Sequence, residues 1–323
     1  MSIRSQSVST SATADRPGLI EARPVRHPWR WVAIAVIALL TAMLVNLIFT
    51  NPAFDWSFVF KAMVQTPVLR GLYIGTLLTT ALAMAVGVSG GVLTAVMRLS
   101  DNPILSGVAW VFTWFFRGIP RYVLLATMGT LGILFQQGLG LGIPFDWKIQ
   151  ELLGISGSWR FATLDANALF AGLFGAVLGL GLSEAAYMSE IARAGILSVD
   201  KGQAEAAEAL GMSSGKSMRR IVLPQAMRVI VPPTGNETIA MVKDTSLLIA
   251  LPLSTELFFQ LSSIGSRTYK TFPAFVAASI WYLVITSILM VGQYYLERHF
   301  GRGFGQKKPK NKRFARGPGM GGA

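Results

Sequence analysis

The chain of 323 residues is 52% hydrophobic and only 14% charged, and its mean hydropathy is +0.50. Soluble domains contain about 25% charged residues, so this composition excludes an ordinary soluble domain and indicates an integral membrane protein. The sequence has no cysteine, which excludes disulfides and thiolate metal sites, and its two histidines are isolated from each other. We therefore predict neither a metal site nor a cofactor.

The formal net charge of +13 comes mostly from the two ends of the chain. Residues 1–30 carry five arginines against two acids, and residues 298–323 carry eight basic residues and no acid. A nucleic-acid partner is one interpretation of such a balance. Because the charges flank apolar segments, we favour a positive-inside topology with affinity for membrane lipid, and no nucleic-acid partner.

The apolar runs predict an all-α fold with about six membrane-spanning helices of roughly 20 residues each. Residues 1–28, rich in Ser, Thr, Ala and Arg, are predicted to be a disordered cytoplasmic tail. Residues 29–50 are predicted to form the first, uncleaved span, with Trp29 and Trp31 as interfacial anchors. A mixed external loop is then predicted over Asn51–Arg70.

The middle of the chain alternates further spans with loops. The second span is predicted over Gly71–Met97, where Gly87, Gly90 and Gly91 would let a neighbouring helix approach closely. Residues 103–117 predict an interfacial helix. The next predicted segments are a third span from Ile119 to Phe135, an external loop over 136–165 and a fourth span from Ala166 to about Ile191.

The last third contains the two remaining predicted spans. The fifth, Gln225–Ala250, holds two adjacent prolines and several charged residues, which predicts a discontinuous helix of the kind that lines transporter substrate sites. Residues 251–271 are predicted to be external, and Thr271–Leu296 to form the sixth span. Residues 299–323 are predicted to be a polybasic cytoplasmic tail, so both termini lie inside.

Two glycine-containing stretches invite nucleotide-binding interpretations. Gly215-Lys216-Ser217 ends like a phosphate-binding loop, but only three residues separate Gly211 from Gly215 and the motif needs four. The glycines within residues 138–142 lack the strand, turn and helix that surround a dinucleotide fingerprint. We therefore predict no nucleotide binding by this chain, and we find no set of side chains that would make it an enzyme.

The polar, basic segment 193–224, between two hydrophobic regions, predicts a cytoplasmic loop. Asp200 can cap a helix over the alanine-rich residues that follow, and Gly211 is a natural helix stop. A serine pair after this glycine can cap a second short helix, which Pro224 would close.

The spacing in this loop resembles the cytoplasmic coupling-loop signature of ABC importer permeases. The matching residues are Glu205, Ala206, Ala207, Gly211, Ile221, Leu223 and Pro224. Flanking segments, among them Phe116–Pro120 and Lys243–Leu247, are similar to those of the polar amino-acid uptake branch. The resemblance covers roughly Leu69 to Arg298.

This resemblance implies a type I ABC importer permease core over residues 66–298, with the helix at 29–50 as an extra N-terminal span. It implies a second permease subunit, identical or homologous, two ABC ATPase subunits, an extracytoplasmic solute-binding protein and an amino-acid substrate, in a plasma or inner membrane. ATP hydrolysis would belong to the ATPase, and this chain would have no catalytic residue. The residues implied to couple the permease to the ATPase are Glu205, Ala206, Ala207, Gly211, Leu223 and Pro224.

Charged side chains inside apolar segments form a second candidate site. A charge at a helix centre costs about 2.5–3.5 kcal/mol on insertion scales, so such residues usually face a water-filled path or pair with one another. The candidates for a substrate pathway are Glu184, Glu190, Asn236, Glu237, Lys243 and Asp244, with Arg117 and Arg121 near the inner surface. Pairing within the protein is the alternative, most clearly for Glu190 with Arg193, three residues apart on one helix face.

Two other functional classes stay open at this point. An ion-gradient-driven secondary transporter or channel for amino acids could use the same acids, but it would have no use for the coupling-loop signature. A membrane-bound enzyme would need a reactive constellation, which the sequence lacks.

Overall fold

The computed structural model describes residues 27–301, apart from residues 136–137, 156, 158 and 252. Residues 1–26 of the predicted N-terminal tail and residues 302–323 of the predicted polybasic tail lie outside the described residues. The described residues divide into two units, with the boundary between Pro52 and Ala53.

The first unit contains helix α1, Pro28–Thr50. Pro28 occupies the first turn, where its missing N–H removes no helical hydrogen bond. The helix has no buried residue, and apolar side chains cover all of its faces. Its 23 residues span about 35 Å, which is enough to cross a bilayer and agrees with the predicted first span.

The described part of the second unit consists of helices and one two-stranded sheet. The helices and strands are α2 (Trp56–Met63), α3 (Thr66–Arg70), α4 (Thr79–Arg98), α5 (Pro103–Gly118), α6 (Arg121–Leu134), β1 (Leu139–Gly142), α7 (Asp146–Leu153), β2 (Arg160–Leu164), α8 (Ala166–Phe170), α9 (Gly172–Leu197), α10 (Lys201–Ala209), α11 (Ser214–Ser217), α12 (Leu223–Asp244), α13 (Leu257–Thr268) and α14 (Thr271–Phe300). Two π-helical segments, Gly71–Leu78 and Met218–Val222, and two 3-10 turns, Pro52–Phe54 and Thr245–Ala250, complete the described elements. The predicted all-α fold is confirmed apart from the small sheet.

Three helices of the described chain are long and apolar enough to cross a membrane. They are Pro28–Thr50, Thr66–Arg98 and Thr271–Phe300, and Arg121–Leu134 is a shorter apolar helix. Helices α9 and α12 have 26 and 22 residues and carry several charged side chains. The count of about six spans therefore stays a prediction.

The segment predicted as a mixed loop over Asn51–Arg70 is largely helical, so that prediction is wrong. The Asp55 carboxylate accepts a hydrogen bond from the Phe58 N–H at 3.1 Å and caps α2. Asp55 also accepts a hydrogen bond from Lys270 Nζ at 2.6 Å, and this contact is the main reason that the pKa of Asp55 is lowered. Thr66 begins a helix that runs without a break to Arg98, with Pro67 in its first turn.

The predicted break in the fifth span does not occur at its prolines. Pro232 and Pro233 lie inside the continuous helix α12. The Gln293 side chain of α14 donates a hydrogen bond to the Pro232 carbonyl at 2.8 Å, so a neighbouring helix supports the backbone there. The chain changes to a 3-10 turn only after Asp244.

The predicted external loop 136–165 contains the small sheet, which the sequence analysis missed. Strands β1 and β2 pair antiparallel, with Leu139 opposite Leu164, and helix α7 lies in the connection between them. The glycine-rich β1 has low intrinsic strand propensity, so local sequence gave little sign of it.

Helix α4 packs side by side with α9 in the same direction. A Cβ at Gly87 would collide with Glu184, and a Cβ at Gly91 would collide with Met188. Only glycine permits this approach, which confirms that these glycines let a neighbouring helix come close. The contact fixes the position of the α9 face that carries Glu184.

A buried polar cluster joins α13 and α14 to the π-helical segment Gly71–Leu78. The Glu256 carboxylate accepts hydrogen bonds from the Tyr282 hydroxyl at 2.7 Å, the Thr76 hydroxyl at 3.2 Å and the Phe259 N–H at 2.9 Å. Glu256 is fully buried, and these donors compensate for its desolvation. The cluster connects elements about 180 residues apart in sequence.

Candidate functional site

The predicted coupling loop folds locally as expected, into a capped helix and a glycine turn. The Asp200 carboxylate accepts a hydrogen bond from the Gly202 N–H at 2.8 Å and caps α10. Gly211 has a φ of +79°, and its N–H donates to the Glu208 carbonyl at 2.8 Å. The left-handed backbone explains why a glycine ends the helix.

The exposure of the α10 side chains decides which of them can touch a partner. Glu205 and Ala206 are exposed, whereas Ala207 is 4% exposed on a helix that packs against α11 and the π-helical segment Met218–Val222. The expectation that Ala207 touches the ATPase directly therefore needs correction, because the chain itself already covers this side chain. Leu210, at 84% exposed, is an apolar side chain that the sequence analysis gave no role.

The second helix of the loop does not close at Pro224, which corrects the prediction. Helix α11 passes directly into the π-helical segment and then into α12, and Pro224 lies in the first turn of α12. The wider π-helical turn lets the chain tolerate a residue without an N–H at this place. Leu223 and Pro224 are exposed there. One helical rod thus leads from the loop into the charged part of α12.

Arg121, the first residue of α6, is the centre of a cluster of charged side chains. It donates a hydrogen bond to Glu184 Oε2 at 2.7 Å and another to Asp244 Oδ2. Glu237 Oε2 lies 3.8 Å from Arg121 Nη2. Three elements supply the cluster: α6, α9 and α12. Glu237 and Asp244 are seven residues apart and share one face of α12.

The cluster lies at a helix break between α5 and α6. Gly118 ends α5, Ile119 and Pro120 are extended, and α6 begins at Arg121 without a side-chain cap. The guanidinium of Arg121 lies 4.8 Å from the ring centre of Tyr187, and that of Arg117 lies 5.5 Å from the same ring. This break lies between α5 and α6, and not within the fifth span, for which the discontinuous helix was predicted.

The remaining predicted pathway residues lie elsewhere. Glu190 belongs to a separate group with Arg98, Arg117 and Arg193, and its predicted pairing with Arg193 is confirmed by a hydrogen bond of 3.0 Å. Asn236 and Lys243 are exposed, and neither side chain takes part in the charged clusters of the described residues.

The Arg121 cluster has an excess of negative charge when its groups are ionised. Three carboxylates surround a single guanidinium, and Glu184 Oε1 is buried without a hydrogen-bond partner in the described chain. An uncompensated buried carboxylate oxygen favours a cationic group beside it. The side chains of Glu237 and Asp244 are each 28% exposed, so a ligand can reach two of the acids. Within the described residues no group of three acids or histidines has the geometry of a metal site.

A cavity of about 1130 Å³ lies apart from these charges. It is lined by the end of α6 with Thr130 and Phe135, by β1 and the residues after it, and by Arg160 of β2. We assign the candidate site to the Arg121 cluster because its charged groups converge from three helices, whereas Asp146 and Arg160 are the charged residues that line the cavity.

Comparison with known proteins decides the family. The profile of the binding-protein-dependent transport system inner membrane component matches residues 87–302. The chain belongs to this family. It is a multi-pass membrane permease of the ABC importer class, and the resemblance noted in the coupling loop is confirmed.

Two relatives illustrate the similarity. The arginine transport system permease protein ArgU of Corynebacterium glutamicum is 46% identical over 90% of this chain and 86% of its own length. The glutamate/aspartate import permease protein GltK of Escherichia coli O6:H1 is 34% identical over 76% of this chain and 97% of its own.

Solved structures show the same fold. The crystal structure of an amino acid ABC transporter with histidines has a chain that matches with a TM-score of 0.54 and 29% identity, over 72% of this chain and 94% of that one. A bacterial ABC transporter for alginate matches with a TM-score of 0.53 at 14% identity, over 84% of this chain and 96% of that one, which supports the fold alone.

Proposed function

We propose that this chain forms one half of the translocation path of an ATP-driven importer for amino acids. A second permease subunit would complete the path, one ATPase subunit would dock on the α10 of each permease subunit, and an extracytoplasmic binding protein would deliver the substrate. The observation that carries this proposal is the continuous helical rod from the coupling loop to Asp244, which joins the ATPase side to the charged cluster.

The substrate that the cluster fits best is a cationic amino acid. Its two cationic groups would be bound by Glu184, Glu237 and Asp244, whose charge exceeds that of Arg121. Its carboxylate would be bound by the uncapped first turn of α6, where helical N–H groups are free and the helix dipole is positive. The similarity to a permease named for arginine transport supports the same class.

The rod explains how ATPase closure would change the site. Glu237 and Asp244 lie on the rod, whereas Arg121 lies on α6 and Glu184 on α9. A rigid movement of the rod from α11 to α12 would therefore shift Glu237 and Asp244 relative to Arg121 and Glu184. Such a shift would change the affinity for a cation as the pathway opens alternately to each side.

The substrate proposal is tested by Glu237→Gln, which removes one charge and keeps the shape of the side chain. The loss of a charge-assisted hydrogen bond costs about 1.5–3 kcal/mol, so we expect arginine uptake by the reconstituted importer to weaken roughly tenfold or more in half-saturation. Arg228→Gln, which removes one charge from an exposed position of the same helix, is the control and should behave like the unmodified protein. Equal arginine uptake by Glu237→Gln and the unmodified importer would contradict a cationic substrate at this cluster.

The proposed topology places both tails and residues 193–224 in the cytoplasm, and residues 51–65 and 140–165 outside. The chain has no cysteine, so single cysteines can be introduced and labelled with a membrane-impermeant reagent. We expect Gly157→Cys to be labelled in intact cells and Glu208→Cys only after the membrane is opened. Labelling of position 208 in intact cells would show that the orientation is reversed.

A further inference from the structure

A basic groove lies beside α5, separate from the Arg121 cluster. Arg98 comes from the end of α4, Arg117 from the end of α5 and Arg193 from α9, and the three surround the single carboxylate of Glu190. Two adjoining cavities of about 490 and 370 Å³ are lined by these residues and share Arg98 and Trp110. Three guanidinium groups against one carboxylate leave an excess of positive charge.

The hydrogen bonding in this group leaves donors available. Arg193 binds Glu190 Oε2 through two nitrogens, at 3.0 and 2.9 Å. The nearest nitrogens of Arg98 and Arg117 lie 3.6 and 3.8 Å from Glu190 Oε1, which is beyond hydrogen-bond distance. Among the described residues, neither of these two guanidinium groups donates a hydrogen bond. Planar N–H groups of this kind match the oxygens of a phosphate group.

The surroundings of the groove indicate where such a phosphate would come from. Trp110 and Trp114 are 54% and 62% exposed, and their rings stack at 6.3 Å. Exposed tryptophans are typical of the boundary between lipid headgroups and acyl chains. Next to them, an exposed apolar stripe runs along α5, formed by Ile104, Val108, Val111 and Phe115. Their spacing of three and four residues puts them on one helix face, suited to an acyl chain.

We propose that Arg98 and Arg117 bind the phosphodiester of an anionic phospholipid from the cytoplasmic leaflet. The headgroup lies in the groove between α4, α5 and α9, and the acyl chains lie along the apolar stripe of α5. Basic pockets between helices on the cytoplasmic side have the chemistry for such headgroups. Glu190 holds Arg193 in place and prevents the three arginines from repelling one another. This lipid site goes beyond the proposed transport function and does not depend on the identity of the substrate.

The test compares lipid retention by two doubly substituted full-length proteins, purified together with their partner subunits. In the first, Arg98→Gln and Arg117→Gln remove two charges from the groove. In the second, Arg220→Gln and Arg228→Gln remove two charges from exposed positions in and next to the predicted cytoplasmic loop. Both keep the polybasic tail, so general attraction to anionic lipid changes equally. Native mass spectrometry counts the retained lipid after addition of phosphatidylglycerol, phosphatidylcholine or inorganic phosphate.

We expect the unmodified protein to retain phosphatidylglycerol in preference to phosphatidylcholine. The groove variant should lose roughly tenfold or more of that preference, and the control variant should keep it. Equal losses in the two variants would overturn the site, because they would reveal only diffuse electrostatics. If inorganic phosphate displaces the lipid, the proposal of a lipid site is wrong and the groove binds free phosphate.

A second variant covers the case in which the double change prevents folding. Trp110→Leu keeps all charges and removes the aromatic wall shared by the two cavities. We expect it to shorten the retention of phosphatidylglycerol while the net charge stays the same. Unchanged retention in Trp110→Leu together with unchanged retention in the single variant Arg117→Gln would refute the proposal.

Discussion

Ala206→Trp is expected to abolish ATP-driven uptake while the protein still folds and enters the membrane. Ala206 is exposed on α10, so an indole ring at this position meets no atom of this chain's core. A close interface with an ATPase cannot accommodate the added volume without strain. Substrate could still reach the Arg121 cluster, because none of its residues changes. What should fail is the transmission of ATPase movement, measured as binding-protein-stimulated ATP hydrolysis, uptake in vesicles and retention of the ATPase in pull-downs.

A matched bulky change on the predicted external side is the control. Gly157 is exposed, and a Cβ there would meet nothing within 4 Å, so Gly157→Trp should leave uptake intact. Gly211→Pro should also abolish ATP-driven uptake, because the +79° φ of Gly211 is inaccessible to proline and the turn after α10 would be distorted. Normal uptake by both Ala206→Trp and Gly211→Pro would show that α10 does not transmit the ATPase movement.

Arg121→Ala is expected to give the second large effect, on stability as well as transport. Removing the guanidinium leaves three carboxylates without their shared partner, and Glu184 is fully buried. Removal of one partner from a buried ion pair typically costs about 3–5 kcal/mol. We expect a clearly lower thermal unfolding midpoint for the purified permease and loss of uptake.

The control for this substitution is Arg228→Ala, which removes an exposed arginine of α12. It should leave the unfolding midpoint in place. Partial recovery of stability when Arg121→Ala is combined with Glu184→Gln would show that the uncompensated carboxylate caused the loss. An Arg121→Ala protein as stable as the unmodified chain would mean that the cluster is hydrated and not a buried network.

Local sequence signals predicted the local structure of residues 200–211 well. The Asp200 cap and the Gly211 turn each depend on a few neighbouring residues, and both appear in the structure as expected. The close packing at Gly87 and Gly91 followed from the same kind of reasoning, since small residues in apolar helices mark helix contacts.

Long-range features could not be predicted in the same way. Arg121 meets Glu184 and Asp244, which are 63 and 123 residues away, and one sequence gives no sign of that pairing. The two prolines of α12 suggested a break, but support from Gln293 of α14 depends on tertiary contact. The passage of α11 into α12 depends on a π-helical segment, for which no simple sequence signal exists.

The central claim is that this permease moves an amino acid with energy from a partner ATPase. The most direct measurement is uptake of labelled arginine into vesicles that contain the permease, its ATPase and its binding protein. We predict uptake only with ATP on the ATPase side and binding protein on the opposite side, with no effect from collapsing ion gradients. Uptake that continues without ATP and stops when the ion gradient is collapsed would contradict the account and favour a secondary transporter.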